Sequence, residues 1–210
     1  MSSNNNISVA LDVVRKTYEN IDLFIDYCKT LCKENDDIDY FLLSEKYLRE
    51  ISTTTVVGTL VKGLVLLFQK KSAPAWRDGN EQQEVCLRNG KIYSLFIDLY
   101  EFNKYPSDHP VIYLTRYKYD DMARFPDTFG LRDYFRFVSP IRPHNGVKLT
   151  FTDDKDSIYS GEPYDNTFSD NNWYGFRKLV GFHIPLVDVK KDNVKDLIFG
   201  GFDKLEEMAT

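Results

Sequence analysis

From Ser8 to about Glu34, apolar residues recur at three- and four-residue steps: Val14, Tyr18, Ile21, Ile25, Cys28 and Cys32. Aspartate and lysine fill the other face. A helix of 3.6 residues per turn gathers such positions into one stripe, so this stretch predicts an amphipathic helix. Asn35-Asp36-Asp37 then breaks the pattern and can cap a following helix. A second helix is predicted from about Asp39 to Ile51, with Phe41, Leu42, Tyr47, Leu48 and Ile51 inward.

The stretch from Thr53 to Lys71 pulls two ways. Its threonines and valines favour a strand. On a wheel of 100° per residue, however, Val56, Val57, Leu60, Val61, Leu64, Val65, Leu67 and Phe68 fall within one half. A half-buried strand would alternate, and this stretch does not, so period is weighed above propensity and a third helix is predicted. Its wide apolar arc serves either packing inside the protein or a partner interface, with Val57, Leu60, Leu64 and Phe68 as the interface candidates.

The character changes after Ser72-Ala73-Pro74. Glu84–Leu87 and Lys91–Phe102 flank Asn89-Gly90, a pattern that predicts a hairpin with a type I′ turn. Val111–Tyr119 is predicted as the next strand, with Ile112, Leu114, Arg116 and Lys118 on one face and Val111, Tyr113, Thr115, Tyr117 and Tyr119 on the other. Asp120–Gly130 reads as a loop or short helix, Val147–Thr152 as a strand, and the polar run Asp153–Asn172 as a long surface loop. Trp173–Val189 is again β in character, with Pro185 marking an edge or bend. A final helix runs from about residue 191 to Met208, with Val194, Leu197, Ile198 and Leu205 inward and Gly200-Gly201 weakening it.

The predicted fold is α+β: three N-terminal helices on a mainly antiparallel, aromatic-rich β-sheet, closed by a C-terminal helix. The 210 residues fit one domain, helical over about 7–71, β-rich over about 84–189 and helical again over about 191–208.

Composition adds further constraints. The 42% hydrophobic content supports a sizeable core, and the 14 tyrosines and 15 phenylalanines supply rings that suit half-buried β faces and interfaces. The net charge of −5 weighs against a general nucleic-acid binder, which needs a basic surplus to replace counterions. No stretch approaches the roughly 20 apolar residues of a membrane span. MSSNNNIS has neither the basic nor the apolar region of a secretory signal. Three cysteines, Cys28, Cys32 and Cys86, do not suggest a disulfide framework. A cytoplasmic protein is the expectation.

Familiar catalytic patterns are missing. Cys28 and Cys32 lie on an apolar helix stripe with no nitrogen or sulfur ligands at metal-binding spacing, so no metal is expected. No phosphate-binding loop, dinucleotide fingerprint or nucleophile elbow occurs, and no cofactor is expected. The acidic residues between Asp153 and Asp170 do not match a calcium loop. One stretch stands apart: from Arg116 to Lys148, seven basic residues face four aspartates, interleaved with Tyr119, Tyr134, Phe135 and Phe137. Arginine forks pair with phosphate or carboxylate, and rings stack on bases. Arg116, Arg132, Arg136, Arg142 and His144 are therefore the ligand-binding candidates.

Three functions follow. The first is a non-catalytic interaction or binding module, with a protein partner or self-association. The second is recognition of a phosphate-bearing ligand, a nucleotide or RNA, by the 116–148 segment. The third is a metal-assisted hydrolase using Asp98, Glu101 and His144.

Overall fold

Ser3–Glu34 forms one 32-residue helix, α1. A computed structural model describes residues 3–43, 47–50, 61–74, 88, 90–99, 110–126, 128–130, 133–142, 146–152 and 158–208. They belong to two compact units, residues 1–38 and residues 39–210. In α1 the buried positions are Ile21, Ile25, Cys28 and Cys32, the C-terminal half of the stripe that the periodicity predicts. Asn35 ends the helix: its amide donates to the Leu31 carbonyl, and its side chain accepts from the Asp37 amide.

The second unit is an eight-stranded antiparallel sheet over the described residues. Its strands are β1 (Tyr40–Leu42), β2 (Leu48–Glu50), β3 (Gly63–Lys70), β4 (Lys91–Asp98), β5 (Val111–Tyr119), β6 (Val147–Phe151), β7 (Ile158–Pro163) and β8 (Phe176–Pro185). Their order is β1-β3-β4-β5-β8-β7-β6, and β2 pairs with β3 beside β1. Thus β1 covers one end of the β3 edge and β2 the other.

Among the described residues one N-terminal helix is present, and this corrects the expected three. The predicted second helix is replaced by β1 and β2, and residues 63–70 of the predicted third are strand β3. The reason is burial on both sides. Gly63 through Gln69 is buried at every position, so the strand lost the alternation that marks a half-exposed one. Its aliphatic residues happened to crowd one half of a helical wheel, whereas their strand propensity pointed the right way. Leu64 and Phe68, named as interface candidates, are core residues of β3. Val57 and Leu60 lie outside the described residues.

Residues 158–172 also differ from the expected loop, and 153–157 lie outside the described residues. Ile158–Pro163 is β7 and Asn166–Asn172 is helix α3, capped by Asp165, whose side chain accepts from the Thr167 amide. Asp165 acts here as a helix cap rather than as part of one long connection. The final helix has a π-helical turn at Lys195–Phe199 and continues as α4, Gly200–Glu207. Gly200-Gly201 does not stop it. A β-carbon on Gly201 would sit 2.7 Å from Leu114 Cδ1, so this glycine lets the helix backbone approach β5.

Register divides the sheet into two faces. One carries Leu64, Leu66 and Phe68, then Tyr93, Leu95 and Ile97, then Ile112, Leu114 and Arg116, then Val180, Phe182 and Ile184. Helix α4 packs there: the Phe202 ring lies 5.3 Å from the rings of Tyr40, Phe68 and Tyr93. The opposite face carries Val65, Leu67, Phe96, Tyr113, Tyr117, Leu179 and Tyr159. It is covered by helix α2 (Asp133–Val138) and the 3-10 turn Ser139–Ile141 through Tyr134, Phe137, Val138 and Ile141.

Candidate functional site

The basic, aromatic segment is split by the sheet it belongs to. Arg116 and Tyr117 are neighbours in β5 and therefore point to opposite faces. The Tyr117 hydroxyl donates to the Phe137 carbonyl of α2, while Arg116 faces α4. Arg136 and Arg142 belong to the segment that packs on the far side. Arg132 and His144 lie outside the described residues, as do Glu101, Cys86 and His109. Asp98 is buried at the end of β4.

Arg136 has a structural environment. Its Nε lies 3.3 Å from Asp133 Oδ1, its guanidinium lies 4.5 Å from the centre of the Tyr174 ring, and its Nη1 donates to the Asn171 carbonyl. Asp133 also accepts from the Gly130 amide at 2.5 Å and from the Tyr174 hydroxyl. Burial, then the hydrogen bond to Asp133, pushes the Tyr174 phenol well above its usual range. Tyr174 itself holds a left-handed backbone at φ 58°, followed by Gly175 at φ 81°. This corner joins α3 to β8 and is pinned from three sides.

The face under α4 is chemically different. Arg116 is 4% exposed, its Nη1 lies 3.6 Å from Glu206 Oε2, and its Nε has no hydrogen-bond partner. Glu206, from the last turn of α4, also accepts from Lys91 Nζ at 2.5 Å and from the Tyr93 hydroxyl. Burial by itself would raise the Glu206 carboxyl, but Lys91, Tyr93 and Arg116 together hold it below its ordinary value. One turn earlier, Asp203 accepts from the Tyr40 hydroxyl at 2.8 Å and faces Lys70 at 3.5 Å. Burial, followed by these carboxylates, raises both the Tyr40 and Tyr93 phenols.

A carboxylate held below its ordinary pKa stabilises the fold at neutral pH. That contribution is lost as pH falls through the ordinary carboxylate range and then through the lowered value. Glu206→Gln should therefore melt below the parent at pH 7, and the gap should close as the buffer is taken to acid. Melting followed by circular dichroism at a series of pH values checks this.

Sequence reasoning placed Lys118 beside Arg116 but missed what lies across the strands. Lys91 pairs with Lys118, and Lys118 with Lys178, so three lysines form one row over β4, β5 and β8 on the α4 face. The neighbouring row is Tyr93, Arg116 and Val180. Only strand register brings these residues together, and no local pattern encodes it.

The first unit carries a second feature. In α1, Val9, Leu11 and Val13 are 58%, 65% and 58% exposed, and Val14 is also exposed. Leu11 and Val14 extend the buried stripe of Ile21, Ile25, Cys28 and Cys32 toward the N-terminus at the same three- and four-residue steps. Beside them, Arg15 pairs with Asp12 at 2.7 Å and Glu19 at 2.5 Å, and Lys16 pairs with Asp12 at 2.8 Å. Such pairs support an exposed helix by about 0.2–0.5 kcal/mol each.

Among the described residues no group of three potential metal ligands occurs, and no helix is long and apolar enough to cross a membrane. Comparison with known proteins finds no matching family model, curated protein or solved structure.

Proposed function

We propose that the chain is a non-catalytic interaction module that pairs with a second copy of itself through α1. One observation carries this reading: a regular apolar stripe that is buried from Ile21 to Cys32 and exposed at Val14 and Leu11. Aliphatic side chains at coiled-coil spacing bury against another helix, and a two-fold pair presents the same patch from both copies. An antiparallel pair centred between Leu11 and Val14 sets each against the other's counterpart and opposes the helix dipoles. Asp12, Arg15, Lys16 and Glu19 carry two charges of each sign, so a second copy meets no net repulsion there.

The polar chemistry of the second unit fits a scaffold rather than a reaction centre. Glu206, Asp203, Asp133 and Asp170 are each engaged by a tyrosine or a basic side chain.

Amide hydrogen exchange tests the interface. Residues 8–20 should exchange more slowly as protein concentration rises, while β4 and β5 stay unchanged. Exchange in 8–20 that is equally fast at every concentration would refute the pairing.

A further inference from the structure

The lysine row is unusual in physical terms. Like charges directly opposite on neighbouring strands repel, yet Lys91, Lys118 and Lys178 stand opposite one another across three strands. Lys91 is relieved by Glu206. Lys118 and Lys178 are exposed, and among the described residues neither has an ion-pair partner. One row inward, Arg116 is almost wholly buried with its Nε unpaired, and its guanidinium shares a single carboxylate with Lys91 and Tyr93. Glu206 thus meets two of the four cations on this face, Lys91 and Arg116, and leaves the exposed Lys118 and Lys178 without a carboxylate among the described residues.

We propose that this face, separate from the α1 stripe, binds a linear oligophosphate, either inorganic or the phosphate chain of a nucleotide. Strands lie about 4.8 Å apart, so the row spans about 10 Å between its outer strands. One orthophosphate brings only about two negative charges to the row. A chain of three phosphates reaches all three and brings charge to match. Tyr93, the aromatic residue in the adjoining row, is buried beneath α4, so a nucleoside gains no stacking surface from it. Recognition is by charge along the chain.

The test uses the full chain with inorganic tripolyphosphate, ATP and orthophosphate, followed by titration calorimetry and thermal melting at fixed ionic strength. Tripolyphosphate and ATP should bind with similar affinity and raise the melting temperature, and orthophosphate should bind at least tenfold more weakly. Each charge-assisted contact is worth about a factor of ten or more, so the Lys118→Ala/Lys178→Ala double variant should lose roughly a hundredfold in affinity. Its unliganded melting temperature should stay level or rise, because the row's repulsion is relieved. Arg142→Ala should bind as the parent does. The proposal is overturned if the double variant binds tripolyphosphate as tightly as the parent. It is equally overturned if tripolyphosphate binds no better than orthophosphate, or if ATP binds and tripolyphosphate does not.

Discussion

Phe202→Ala should destabilise the protein by about 3–5 kcal/mol, the range for removing a large buried ring. Phe202 is fully buried on α4 and touches the rings of Tyr40, Phe68, Tyr93 and Phe199. Those partners come from β1, β3, β4 and the π-helical turn. No single neighbour can close the gap, because each is held by its own strand or by a hydrogen bond to α4, as with Tyr40 to Asp203. The loss is a large share of the 5–15 kcal/mol typical of a folded domain. Urea unfolding followed by fluorescence would measure it. A cost below about 1 kcal/mol would mean that α4 is not seated on the sheet as described.

Gly181→Ala should be almost as damaging, by about 3 kcal/mol, for the opposite reason of overpacking. Gly181 lies in β8 between β5 and β7, paired with Thr115 on one side and Tyr159 on the other. A β-carbon there would fall 2.4 Å from the Tyr159 ring and 2.7 Å from the Leu114 carbonyl oxygen. The ring cannot swing aside cheaply, because its hydroxyl is bonded to Thr115 Oγ1 at 2.6 Å in the buried face. The carbonyl belongs to a central strand and cannot move without disturbing the ladder. The same urea experiment would show the midpoint falling, and Gly200→Ala, with nothing within 4 Å of its β-carbon, is the matched control.

Helical periodicity was legible, for the α1 stripe contains the residues that are buried. Val111–Tyr119 is strand β5 as expected, although every position but Lys118 is buried; its polar and aromatic residues mark it as a strand. In β3, also buried on both faces, Leu64 to Phe68 carries no polar residue to mark a period of two, so a helical wheel fits the pattern as well as a strand does. Sequence proximity also misled. Arg116 and Arg136 lie twenty residues apart in one basic stretch, yet the sheet places them on different sides. Conversely, Lys91 and Lys178 are distant in sequence and become neighbours of Lys118 through strand pairing alone. Non-local register is what a hydrophobic pattern does not carry.

The most direct test of the central claim is sedimentation equilibrium of the parent and of a Leu11→Lys/Val14→Lys variant over a wide concentration range. The parent should move from 24.6 kDa toward twice that mass as concentration rises. The variant, with unchanged melting temperature, should remain at the monomer mass. A parent that stays monomeric throughout, or a variant that associates as well as the parent, would contradict pairing through α1.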